Sequence, residues 1–208
     1  MSSEFDAVRA DESAFAPSDF ATLMRVNRAA GLSRDRQSLL AAIARSVADL
    51  LPTDQLVLLH AAPHEIEIDV LAHGGAALER QRATIPDDSA AAWSIRERRP
   101  LVLRSRDEVR ERFPPTHAQL VRQDMQAMVI VPLLHDERCL GAIAFHSRAP
   151  RAEARYSPGL LEQIGTAVAI ALDNCLAYEQ QQKQSRESSA LLEMNRATLV
   201  EWLSAAAQ

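Results

Sequence analysis

Residues 127–147, AMVIVPLLHDERCLGAIAFHS, hold two apolar runs separated by four polar residues, and this stretch decides the fold. The runs 127–134 and 139–147 are rich in β-branched and aliphatic residues and too short for ordinary helices. They read as two antiparallel strands of a hairpin joined through His135, Asp136, Glu137 and Arg138. Pro132 inside the first run cannot donate to a ladder, so that strand is expected to lack a partner on one side or to end nearby. By alternation Ala142, Ala144 and His146 share one face, and the small pair leaves room beside a histidine placed at the rim.

Upstream, residues 55–60 form an apolar strand, and Ile66, Ile68 and Val70 alternate with Glu65, Glu67 and Asp69 in a strand with one wet face. His73, Gly74 and Gly75 supply a turn. Two helices precede the strands. One starts near Ser18 or Asp19 with Phe20, Leu23, Met24 and Val26 and is interrupted at Gly31; the other carries Leu39, Leu40, Ile43, Val47, Leu50 and Leu51 and stops at Pro52. Ser89 caps a short helix through Arg98 bearing Trp93 and Ile95, and 101–103 is a brief strand. Residues 108–123 are charged and Pro-broken, a lid or loop with one helical stretch over 116–122. Downstream, Ser157 caps a long helix in which Leu161, Ile164, Val168, Ala171, Cys175 and Tyr178 recur at three and four residues. That spacing predicts the seam of a parallel homodimer. The register continues through Gln182, Ser185, Ser189, Leu192, Leu199 and Leu203, a coiled coil with a polar centre.

The expectation is an α+β domain: an antiparallel sheet with long helices on one face and a short helix and lid on the other, leaving a cavity under that roof. Residues 1–17 read as a flexible arm, 18–180 as the domain and 181–208 as a C-terminal coiled-coil helix, to which the resemblance given below adds a signalling role. The 208 residues carry 23 Lys and Arg against 28 Asp and Glu, net charge -5, so no basic excess suits a phosphate backbone. No stretch approaches the roughly 18 uninterrupted apolar residues of a membrane span, and the start has no secretory signal, so the expected location is cytoplasmic. Cys139 and Cys175 are too few and too far apart for a disulfide framework or a zinc site. His60, His64, His73, His117, His135 and His146 show no metal-ligand spacing and read as surface or strand-end residues, His146 excepted. Neither a catalytic residue nor a metal site is assigned.

The hairpin, with its strand ending in Pro-Leu and its Leu-Gly-x-(apolar)₃ return, and LEQIGTAVAIALDNCLAY at 161–178, with its (Asp or Glu)-Asn-(x)₂-(apolar)-Tyr end, together resemble the GAF family of sensory domains over residues 20–180. AVAIALDNCLAY at 167–178 is most similar to the sensory domains of sigma-54-dependent activators such as the formate hydrogenlyase activator. The resemblance implies a small-molecule sensor that signals through its last helix to an output domain of a longer protein, in transcriptional regulation. Sensory domains of histidine kinases or nucleotide cyclases, and a stand-alone dimeric scaffold, are the alternatives. In iron-holding branches of the family the positions matching Met128 and His146 look like cysteine and aspartate, from which this chain departs. It also lacks the cysteine pair of bilin carriers, the NKxxDE signature of cyclic-nucleotide binders and the several cysteines of methionine sulfoxide reductases on this fold, so no cofactor is named and an enzyme is not expected. The candidate ligand-binding residues are Trp93, Arg122, Asp124, Met128, Ile130, Ala142, Ala144 and His146. For Trp93 both core packing and ligand stacking stay open; for Arg122 and Asp124, both solvated charge and anion recognition.

Overall fold

The computed structural model describes residues 17–51, 53–61, 66–72, 78–150 and 156–206; side chains at 17, 18, 61, 72, 78 and 191–206 are outside that description. Residues 1–16 of the expected arm, the turn at His73 to Gly75, His64, Pro52 and the side chains at the coil positions Leu192, Leu199 and Leu203 therefore fall outside what is described, while Pro17, the last residue of that expected arm, opens the first helix instead. The elements are α1 (Pro17–Leu32), α2 (Arg36–Val47), β1 (Gln55–Ala61), β2 (Ile66–Ala72), β3 (Leu78–Ala83), α3 (Ala90–Glu97), β4 (Leu101–Leu103), α4 (Arg106–Arg112), α5 (Pro114–Arg122), β5 (Ala127–His135), β6 (Arg138–Ser147) and α6 (Pro158–Ala206). The six strands form one antiparallel sheet in the order β3-β2-β1-β6-β5-β4.

The β5–β6 hairpin sits inside this sheet, with His135 opposite Arg138 and Asp136 at φ 53, a turn conformation that aspartate tolerates. β4 pairs only with Met128 to Ile130, so Pro132 lies past its end, where β5 has β6 on one side alone among the described residues. The missing donor that the sequence flagged is thereby harmless. Gly141, at φ 143, lies tight against β1: a Cβ there would collide with the Leu59 carbonyl oxygen.

Alternation splits the sheet into two apolar faces. Leu56, Leu58, Val129, Val131, Ile143 and Phe145 face α1, α2 and α6; Val57, Leu59, Met128, Ile130, Ala142 and Ala144 face α3, α4 and α5. Gly165 lets α6 lie directly on β5, since a Cβ there would meet the Pro132 carbonyl oxygen at 2.6 Å.

This packing corrects the expected dimer seam. Leu161, Ile164, Val168, Ala171 and Cys175 are at most 4% exposed within one chain, buried in the core against the sheet and the first two helices. A three-four stripe marks the buried side of any helix, whichever partner covers it, and here the chain's own sheet does so. Of the six seam candidates only Tyr178 is exposed, at 40%. Burial also explains the hydropathy of α6: by length and composition Pro158–Ala190 could cross a membrane, but half of its most apolar window is inside the fold.

Two further elements depart from expectation. The stretch LERQRA forms β3 at the sheet edge, where charged side chains suit an open strand but erase the alternation that would have revealed it. The lid is two helices rather than one, because Ser105 caps α4 by accepting from the Glu108 N–H, and α4 then buries Val109.

Candidate functional site

A cavity of about 500 Å³ lies between the sheet and the roof. Its floor is the roof-side face of five strands, with Val57 and Leu59 from β1, Ile68 from β2, Gln81 and Ala83 from β3, Met128 and Ile130 from β5 and Ala144 from β6. Its roof is the N-terminal end of α3, the segment 84–86 and one side of α5. Two hydroxyls fix that roof: Thr116 Oγ1 accepts from the Ala90 N–H at 3.0 Å, tying α5 to α3, and Ser89 Oγ caps α3 by accepting from the Ala92 N–H at 3.2 Å.

Five of the eight candidates meet at this cavity: Arg122, Met128, Ile130, Ala144 and His146 all line it. Met128 and His146 sit opposite one another across the β5–β6 ladder. His146 is buried rather than at an open rim, 3% exposed, with Nδ1 in hydrogen-bond contact with Gln55 Oε1 at 3.0 Å. Ala142 is on the same floor but covered, packed within the roof-side core. Trp93 lies away from the lining and meets Phe113 edge-on at 6.4 Å, which favours its packing role. Asp124 turns outward at φ 54, is 83% exposed, and pairs with Arg106 at 3.1 Å.

Sequence reasoning missed Gln81 and Ala83, which come from the unrecognised β3, and the polar side of α5. Thr116, Gln119 and Gln123 follow one another at three and four residues, a spacing that would have placed them on one helical face.

On the opposite face of the sheet, a second polar cluster surrounds Arg36, the first residue of α2. Its guanidinium grips Glu179 of α6 with two hydrogen bonds, Nε to Oε1 at 3.2 Å and Nη2 to Oε2 at 3.0 Å. Nη1 donates to Glu67 Oε2 at 3.0 Å and lies 3.1 Å from the fully buried Asp69 carboxylate. His60 Nε2 adjoins both Arg36 and Glu67, so this histidine is buried in an ion network rather than at the surface. Arg80 and Arg82 of β3 close the network from outside on Asp69 and Glu67. Burial lowers the pKa of Arg36, but its bonds to Glu67 and Glu179 outweigh that and leave it raised. The Arg36 hydrogen bond in turn holds the Glu67 carboxyl below the ordinary range. Nearby, burial pushes the Cys175 thiol up to about 11, with Asp35 and Glu179 adding to the rise. Neither cysteine lines the cavity.

A cavity roofed by short helices thus lies on one face of the antiparallel sheet, and the long α6 packs against the other. The GAF domain profile matches residues 35–172, about two thirds of the chain, and the chain belongs to the GAF domain family. No curated protein sequence matches it. Among solved structures it is similar to the GAF domain of an Acinetobacter phosphoenolpyruvate-protein phosphotransferase, with TM-score 0.60 and 12% identity over 80% of this chain and 99% of that one. It is also similar to the GAF domain of a Bacillus halodurans two-component sensor histidine kinase, with TM-score 0.56 and 16% identity over 71% and 99%. Against the chromophore-binding domain of a bacteriophytochrome from R. palustris the TM-score is 0.58 at 14% identity over 76% of this chain, which spans 62% of that one. At these identities the likeness is one of fold.

Proposed function

We propose that this domain is a regulatory sensor: a small molecule bound in the cavity biases α6, and α6 carries the change to an output domain in a longer chain. The observation that supports this reading is the division of labour across one sheet. The roof face holds a cavity with no cysteine in its lining, while the helix face holds α6, which runs on past the core. Its 49 residues span about 74 Å at a rise of about 1.5 Å per residue. Beyond Glu179 every described side chain through Ala190 is exposed, so this part of the helix has no core of its own to hold it. Such a polar segment can shift register or splay with few apolar contacts to exchange.

The same reading places the protein in the cytoplasm as a homodimer controlling transcription, in keeping with the likeness of residues 167–178 to the sensory domains of sigma-54-dependent activators. The dimer surface moves from the buried stripe to the outer side of the α1–α6 pair, where Phe20, Met24, Ile170 and Tyr178 are exposed. Phe20 and Met24 are four residues apart and share a helical face, as do Ile170 and Tyr178, eight apart.

Native mass spectrometry of the purified protein tests the cavity by showing a retained small molecule together with dimer stoichiometry. Spin labels at positions 186 and 200 test transmission. Intersubunit distances that stay the same with and without the retained molecule would reduce α6 to a tether.

A further inference from the structure

We infer that the cavity takes a small organic monocarboxylic acid, its carboxylate held by Arg122 at the mouth and its hydrocarbon body lying on the sheet floor. This rests on the sensor reading and names the chemistry of its ligand. Among the described residues the lining is one-sided in charge: Arg122 is the only permanently charged one, and no carboxylate side chain contributes to it. Among the described residues Arg122 makes no ion pair, although eleven of the fourteen ion pairs found there involve an arginine or lysine.

 The nearest acid in sequence, Asp124, is turned away and engaged by Arg106. A guanidinium at the edge of an apolar cavity, with no anion of its own, matches the planar fork of a carboxylate.

The count of charges selects the class. A phosphate monoester carries close to two negative charges near neutral pH, and a single guanidinium would leave one of them uncompensated over an apolar floor. A monocarboxylate is matched one to one. Gln123, beside Arg122 in the same wall, buries Oε1 without a protein hydrogen-bond partner, which favours an acid that also carries a donor such as a hydroxyl. The floor residues Val57, Leu59, Met128 and Ile130 offer hydrocarbon and no polar side chain to the rest of the molecule.

The test is thermal shift and calorimetry on the full chain with benzoate, phenylpropionate, hydroxyphenylpropionate and isocaproate, each beside its primary amide, and with phenyl phosphate. The expected result is that at least one acid binds while its amide and phenyl phosphate do not. Arg122→Gln should weaken that acid about 10- to 100-fold, and Arg122→Lys less. Because Arg122 is exposed, the ligand-free Tm of both variants should match the parent. Amides binding as well as acids, or undiminished binding by Arg122→Gln, overturns the carboxylate assignment and leaves the sensor reading standing. Failure of every acid, with a neutral or phosphorylated molecule retained in native mass spectrometry, does the same. Failure of every probe with no retained molecule overturns both.

Discussion

Replacing Arg36 with methionine removes the hub that joins α2, β1, β2 and α6, and its cost follows from what is left behind. Asp69 is fully buried and the Glu67 side chain is 14% exposed, so both carboxylates would lose a cation in a poorly hydrated place. Breaking a buried pair from one side costs about 3–5 kcal/mol. Arg80 still reaches Asp69 at 2.8 Å and Arg82 still reaches Glu67 at 3.0 Å, which places the expected loss near the lower end, about 3 kcal/mol. For a chain of this length that is a fall in Tm of about 6–12 °C. The sign of the pH dependence follows from Glu67. Its folded pKa lies below the ordinary 4.5, so its contribution is present above that pH and is lost as pH falls through the folded value. The gap between parent and variant should therefore be full at neutral pH and narrow below about pH 4.5. Thermal melts across pH measure this, and hydrogen exchange over residues 176–190 reports whether α6 loosens once Glu179 is released. A variant as stable as the parent, or a gap that does not narrow in acid, would refute the assignment of the cluster as a stabilising ion network.

Three other outcomes are expected. Ala144→Phe should abolish retention of the small molecule with little change in Tm, because its ring enters the cavity; a fall matching the roughly 1–3 kcal/mol of overpacking would mean that the floor is a filled core. Val168→Glu should unfold the protomer rather than only separate subunits, since Val168 is 0% exposed within one chain; a folded monomer in sedimentation and circular dichroism would contradict that burial. In the folded protein at pH 8 the Cys175 thiol, raised to about 11, should resist alkylation while half-buried Cys139 reacts, and mass mapping that finds Cys175 modified first would contradict it.

Much of the fold was legible because it is written in local periodicity. The β5–β6 hairpin, the second strand, the Ser89-capped helix and the closing helix each carry their own apolar spacing, and the small Ala142 and Ala144 marked the roof-side face before any cavity was visible. The polar wall of α5 was also written, at three-four spacing, but lay in a stretch whose prolines and charges suggested a loop. Edge strand β3 left no such mark, since a strand with one neighbour need not alternate.

What the sequence determined by itself was which residues withdraw from water along each element, because helix and strand periods are properties of a single segment. Only the tertiary structure decided what covers them. The stripe from Leu161 to Cys175 meets the chain's own sheet instead of a second copy, and His60 and Arg36, 24 residues apart, meet across the gap between helix and strand. Arg122 comes to the mouth of a cavity while Asp124, two residues on, turns to Arg106, because one residue at positive φ reverses the chain. Partners across space are set by the packing of whole elements, and no local period records them.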